Sequence, residues 1–266
     1  MAETVLRTND LPVADRFPVF CELAKRMHAP MAVSSAYAAD FQAEMRAVEM
    51  GDVCLWPTVV RATVFDRTPR LVRQFDPETY HLSLILRGTA GAVRGDQEVS
   101  CRPYDFHSTS SSIPRAFHAG DRPAGFVAIG FDVPRAAVPL PAARARRAIG
   151  ERPLSGREGP GGLLADVLLR LAREADSFAP SDELRLAAVL ADLVAATLAH
   201  STGSHSYRTP ADHRTHPSLR QPFTTRSSGT RRHPETTLGP SARTDSAHGT
   251  ETGHRIPRQP VTKLRG

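Results

Sequence analysis

The sequence predicts an α+β protein in which an antiparallel β-barrel leads into a helical hairpin and then into a disordered tail. Three observations carry that reading. Residues 80–106 read YHLSLILRGTAGAVRGDQEVSCRPYDF, with Leu82, Leu84 and Leu86 alternating with Ser83, Ile85 and Arg87 before Gly88 breaks the run. Alternation of this kind belongs to a strand, and Gly95-Asp96 suits a tight hairpin turn because glycine accepts positive φ. Residues 159–200 place leucine and valine at three- and four-residue intervals, a helical stripe. Beyond residue 200 only ten of 66 residues are apolar, against 40% of the whole chain. A segment so poor in apolar surface cannot offset the entropy of ordering it. The chain therefore divides into a barrel domain over 1–158, a helical hairpin over 159–200 and a basic tail over 201–266.

Charge follows the same division. The tail holds eleven Arg or Lys against four Asp or Glu, a surplus of seven, and since the whole chain is +6, residues 1–200 carry −1. The overall basicity thus says nothing about the folded part, and nucleic-acid attraction has to rest on the tail. About 200 residues suffice to bury roughly 70% of the unfolded surface. Cys21, Cys54 and Cys101 are odd in number and widely spaced, which predicts reduced thiols in a cytoplasmic protein. The first residues, MAETVLRTNDLP, contain acids and no apolar core, so no signal peptide is expected. No membrane span is expected either: the most apolar stretch, residues 184–199, carries Arg185 and Asp192.

Along the chain, Thr8-Asn9-Asp10 supplies cap chemistry ahead of Val13, Phe17, Phe20, Cys21 and Ala24 at helical spacing, with Pro18 predicting a kink or a later start. Residues 41–50 and 53–65 read as strands around Gly51-Asp52, and Pro57 predicts an edge or a bulge for the second. Asp76-Pro77 breaks the chain before residues 80–87, residues 107–114 read as a polar loop, and 125–131 as a further strand. About eight short strands at this spacing suggest a sandwich or barrel. Residues 134–157 read as a connector rich in Pro and Arg. Leu163, Leu164, Val167, Leu168 and Leu171 mark one helix, and Leu186, Val189, Leu190, Leu193, Val194 and Leu198 mark the next after Pro180-Ser181. The second stripe fits a dimer interface as well as a monomer core, and periodicity does not separate them.

The chemistry is sparse. A metal-dependent barrel enzyme needs two histidines one residue apart on a strand, an acid and a later histidine. This chain offers His81 with Ser83 in the second position, and His107 and His118 without partnered spacing. No GxSxG is present, and Ser108–Ser112 reads as turn bonding rather than a nucleophile. No P-loop or dinucleotide fingerprint occurs. The six tail histidines lack cysteine partners, and Tyr207 and Phe223 are too few to stack single strands. For a small-molecule pocket the candidates are Trp56, His81, Ser83 and Arg87, the last three sharing the strand face opposite Leu82, Leu84 and Leu86. The alternative is that this face is the solvated outside.

Four stretches carry a resemblance: RTNDLPVADRFPVF (7–20), TPRLVRQFDPETYHLSLILRG (68–88), SCRPYDFHSTSSSIP (100–114) and FDVPRAAVPLPAARARRAIGERPLSGREGPGGLLADVLLRL (131–171). The last is the most specific, because Val133-Pro134-Arg135, Pro139-Leu140-Pro141 and Leu154-Ser155-Gly156-Arg157 precede a helical pair in order. In these the chain resembles the N-terminal ligand-binding domain of AraC/XylS-type transcriptional regulators over about residues 1–200. The resemblance implies a cupin-like barrel that senses a small-molecule effector and a helical hairpin that forms a homodimer; with the motifs above absent, no cofactor and no enzymatic activity are expected. The resemblance also implies a C-terminal helix-turn-helix domain. Three departures stand out: Tyr104 where the family has glycine in a Pro-Gly-Asp turn, Pro18 within the first helix, and the tail. The seven prolines of residues 201–266 recur too often for recognition helices. The tail composition fits an out-of-frame reading of a lost DNA-binding region, or a genuine disordered segment. Sequence-specific DNA binding is then not expected, only salt-sensitive attraction to phosphate. The rival readings are a cupin-type small-molecule enzyme and an interaction protein using residues 184–198.

Overall fold

The computed structural model describes residues 2–120 and 125–203; the expected disordered tail lies outside the described residues but for its first three. The chain opens on a strand, β1 (Ala2–Arg7), that the sequence reading did not anticipate. A 3-10 turn at Thr8–Asp10 follows. The Thr8 hydroxyl does not cap the first helix: it is buried and accepts from the Ala43 backbone N–H at 2.8 Å. Helix α1 (Val13–Met27) runs through Pro18, whose ring lies on the exposed side, while Phe20, Leu23 and Ala24 are buried.

Strands β2 (Ala32–Ser34), β3 (Ala43–Met50), β4 (Val53–Val60) and β5 (Thr63–Arg67) follow, then a short helix α2 (Pro69–Gln74) capped by Thr68. The predicted strand over 53–65 is thus two strands turning a corner at Arg61-Ala62. The central run is β6 (Thr79–Arg87), followed by β7 (Ala90–Arg94), β8 (Gln97–Cys101), β9 (Asp105–Ser110), β10 (Arg115–Ala119) and β11 (Phe126–Pro134). The expected loop at 107–114 begins as strand β9, because pairing with β6 satisfies its backbone while its side chains are buried. The expected connector holds α3 (Ala142–Ala148) and a short strand β12 (Leu154–Ser155). Helices α4 (Gly159–Glu174) and α5 (Glu183–Gly203) complete the described chain.

All pairings are antiparallel. One sheet has seven strands in the order β1-β3-β4-β11-β6-β9-β12, the other five in the order β2-β5-β10-β7-β8. Strand β4 lies inside the larger sheet rather than at an edge. Its ladder to β3 runs Met45↔Thr58 and resumes at Val48↔Leu55, with no pair at Trp56-Pro57 between them. Proline lacks the N–H that a continuous ladder would need there.

Two apolar cores result. One lies between the two sheets and α1, with Phe20, Met45, Trp56, Ile85, Phe117 and Phe126 among its members. The other lies on the outer face of the large sheet, where Leu82, Leu84, Phe106 and Phe131 meet Leu164, Leu168, Leu190, Val194 and Leu198 from α4 and α5. Both faces of β6 are therefore buried, and the leucine face packs on helices rather than lining the barrel. By length and composition α5 passes for a membrane span, yet Leu190, Val194 and Leu198 are fully enclosed by the outer core.

Candidate functional site

The inner face of β6 presents His81, Ser83 and Ile85 to the barrel interior, since alternate residues point the same way. Antiparallel pairing sets Asp132 of β11 beside His81 and Gly130 beside Ser83. On the other side of β11, Gly130 pairs with Trp56 of β4. A Cβ at Gly130 would overlap the indole, so glycine is what lets Trp56 lie flat against the strand. The indole stacks on the His81 ring with centroids 5.6 Å apart and planes at 16°. His28, one residue beyond α1, closes the group from the helix side, its ring centroid 4.5 Å from that of His81.

These side chains form one hydrogen-bonded chain. Arg115 Nη2 lies 3.3 Å from His28 Nε2. A guanidinium only donates, so Nε2 accepts and His28 carries its proton on Nδ1. That Nδ1–H donates to Asp132 Oδ2 at 2.5 Å. The other carboxylate oxygen, Oδ1, lies 2.9 Å from His81 Nδ1, which donates to it. His81 Nε2 then accepts from the Ser83 hydroxyl at 2.7 Å. One carboxylate thereby fixes the orientation and tautomer of two imidazoles.

Burial governs the protonation states. It pushes the His81 pKa down to about 4, with His28 adding to the effect and Asp132 opposing it. Burial would raise Asp132, but the two imidazoles outweigh it and hold the carboxyl well below the usual range. Burial pulls Arg115 down to about 10, so it stays charged at neutral pH. His107, buried and stacked on Phe117 at 4.6 Å, is lowered well below the ordinary histidine value by burial and then by Arg115.

The polar group lines a cavity of about 80 Å³. The rest of the wall is apolar, with Met31, Met45, Val60, Phe65, Phe117 and Phe126. That combination of apolar walls and a few convergent polar groups is the usual build of a small-molecule site.

Of the four residues proposed from sequence, Trp56, His81 and Ser83 line this cavity and Arg87 does not. Arg87 is the last residue of β6, beside an irregularity opposite Val127/Ala128, and its side chain is exposed. His118 points outward on β10 and His107 stands apart from His81. The residues that sequence reasoning missed are His28, Asp132 and Arg115. Of the Ser108–Ser112 cluster, Ser111 and Ser112 donate to Asp76, 35 and 36 residues away, in long-range bonds rather than the turn bonding expected.

His28, His81 and Asp132 place their ligand atoms within 4.8 Å of one another, a two-histidine, one-carboxylate set. Both Nδ1 atoms, however, are engaged with Asp132, and the Arg115 charge adjoins His28. A divalent cation would have to break those bonds beside a buried positive charge, so the set fits metal poorly. The order Ser83–His81–Asp132 also has the connectivity of an acyl-transfer relay. A histidine held near 4 accepts a proton weakly at neutral pH, which makes it a poor general base.

On the helices, Leu190, Val194 and Leu198 are fully buried in the outer core, Leu186 and Leu193 are partly buried against it, and Val189 is exposed. Half of the residues expected at a dimer interface are thus unable to reach a partner.

The sequence profile of the AraC-binding-like domain matches residues 20–199. Among solved structures, the AraC-like transcriptional activator CuxR aligns with a TM-score of 0.64 at 18% identity, covering 74% of this chain and 70% of that one. AerE from Microcystis aeruginosa aligns at 12% identity over 34% of this chain and 40% of its own, with a TM-score of 0.27. A cupin-2 domain from Rhodospirillum rubrum aligns at 13% identity over 39% and 68%, with a TM-score of 0.27. No curated protein matches the sequence. The likeness to the activator concerns the fold, and the two partial matches are too weak to bear on function.

Proposed function

The chain belongs to the AraC-binding-like domain family, and from that premise we propose that it is a regulator-type module that senses a small molecule in the barrel cavity. The observation that carries this is the cavity itself, mostly apolar and lined also by His28, His81, Ser83 and Arg115. An enzymatic role finds little support in a metal set locked by its own hydrogen bonds and a relay histidine depressed to about 4. We place the protein in the cytoplasm, without a cofactor. A homodimer would use the outward side of α5, where Leu184 and Val189 are exposed, with Leu186 and Leu193 at its margin. Residues 201–266 would contribute no sequence-specific DNA reading, only salt-sensitive attraction.

Trp56 is the chain's single tryptophan and lines the cavity, so its emission reports occupancy. Titrating the full chain with a panel of small neutral, cationic and anionic organic molecules should give a saturable emission change for at least one class. Ala128→Phe, which fills the cavity, should abolish it. A panel without any saturable change sinks the sensing reading. In a gel shift at physiological salt, discrimination between DNA sequences would overturn the statement about the tail.

A further inference from the structure

The barrel interior encloses charged side chains. Among the described residues, the charged side chains counted as buried are Arg67, Arg115 and Asp132. Half-buried Asp76 opposes the Arg67 charge ahead of Asp132, and Asp132 opposes that of Arg115. A charged group buried without its hydrogen-bond partners is among the more costly features a fold can retain.

The two arginines handle it differently. Arg67 is structural: its Nε, Nη1 and Nη2 donate to the carbonyls of Ser111, Pro30 and Phe75 at 2.7, 2.8 and 2.7 Å. Arg115 lies directly opposite Arg67 in the β5–β10 ladder, a like-charge pairing. Its Nε and Nη1 are closed off from solvent and have no protein acceptor, and only Nη2 reaches His28. Asp132 opposes its charge but accepts no hydrogen bond from it, because both carboxylate oxygens already accept from His28 and His81. Arg115, with two unmatched N–H groups, borders both this cavity, whose remaining walls are mostly aliphatic and aromatic, and a smaller one beside His107.

We propose that the cavity takes an organic monocarboxylate with a compact apolar body, its carboxylate accepting from Arg115 and its body lying among Met45, Phe65 and Phe126. A carboxylate forms charge-assisted hydrogen bonds with a guanidinium, which are stronger than neutral ones. A phosphate would bring a second charge and further oxygens toward walls with few groups to receive them. His28, which accepts from Arg115, lines the same cavity and holds the guanidinium that would receive the head group. This inference rests on the sensing reading and adds the chemical class of its ligand.

The test uses the full chain and two isosteric pairs, phenylacetate with phenylacetamide and hexanoate with hexanamide, followed by Trp56 emission and calorimetry. The acids should bind at least about tenfold more tightly than their amides, since a hydrogen bond to a charged group is worth more than about 1.4 kcal/mol. Arg115→Met should erase that difference, and Arg115→Lys should keep part of it. The acid–amide comparison on the unaltered chain decides the matter even if Arg115→Met fails to fold. Amides that bind as well as acids would overturn the inference and leave the sensing reading intact, as would inorganic phosphate binding as tightly as the acids. If neither pair binds while another member of the panel does, the inference falls alone. If nothing in the panel binds, both fall.

Discussion

The two faces of the seven-stranded sheet are equally shielded from water and chemically opposite. On the outer face, Leu82 and Leu84 of β6 and Phe131 of β11 meet the leucines of α4 and α5. On the inner face, the residues one position along, His81, Ser83 and Asp132, are just as enclosed and joined in a single hydrogen-bond chain. A two-residue period lets one strand serve both. The outer face fastens the helices to the barrel, and any partner-facing surface of α5 moves with the sheet. The inner face holds polar groups in the wall of a cavity, a costly arrangement unless a ligand's chemistry returns the cost.

The sharpest way to break this comparison is to remove one group from each face. Asp132→Asn leaves Arg67 and Arg115 without their one buried counter-charge and weakens both imidazole bonds, so it should cost about 3–5 kcal/mol. Leu84→Ala leaves a void in the outer core and should cost about 2–5 kcal/mol. Urea unfolding measures both. The variants separate in Trp56 emission of the folded protein: Asp132→Asn frees the ring stacked on the indole and should shift the spectrum, while Leu84→Ala should leave it unchanged. Equal spectral shifts would mean that the faces are not independent.

Acid distinguishes the faces next. His81 titrates at about 4 in the folded chain and near 6.5 when unfolded. Between those values the unfolded state binds more protons, so stability rises with pH. The His81 contribution is complete above about 6.5 and is lost as pH falls toward 4. A difference of about 2.5 units corresponds to about 3 kcal/mol. His107, lowered in the same direction, steepens the slope. His81→Gln should flatten the dependence of the urea midpoint between pH 6.5 and 4, and Leu84→Ala should leave the slope as it is. An unchanged slope in His81→Gln would remove His81 from the account.

The alternation in residues 80–87 was enough to separate the faces by chemistry, but not to say what covers each. The cover for Leu82 and Leu84 is supplied by residues some 80–115 positions downstream, and no local pattern encodes that contact. The hydrophobic stripe of α5 was equally visible and equally ambiguous: Leu190, Val194 and Leu198 turned inward because the sheet offered them an apolar surface. Asp132 was legible in principle, as a lone acid inside the apolar run of residues 126–133, and it lay one residue beyond the predicted strand. His28 and Arg115 left no such mark. One follows a helix end and the other starts a short strand, and each matters only because the barrel closes around it. Pro57 was read correctly as an interruption and wrongly as a possible edge, since a lapse in one ladder lets proline sit inside a sheet.

The smallest expected effect concerns Tyr104, flagged in the sequence as a residue where glycine is wanted. Its φ is indeed +65°. The left-handed region costs a residue with a Cβ roughly 1–2 kcal/mol. The turn is held from several sides: the Tyr104 N–H donates to the Ile85 carbonyl at 2.6 Å, and the Gly156 N–H donates to the Tyr104 carbonyl at 2.8 Å. The Arg157 guanidinium lies over the ring, 5.4 Å from its centroid, and donates to the Pro103 carbonyl at 2.5 Å. Tyr104→Gly relieves the strain but forfeits a cation–π contact of about 0.5–1 kcal/mol and adds a comparable entropy to the unfolded chain. These nearly cancel, so the unfolding free energy from urea denaturation should change by less than about 0.5 kcal/mol. Arg157→Ala made in the Tyr104→Gly background should then cost less than in the parent by the size of the lost contact. A gain well above 1 kcal/mol from Tyr104→Gly would show that the arginine stack contributes nothing and that the strain at this turn stands uncompensated.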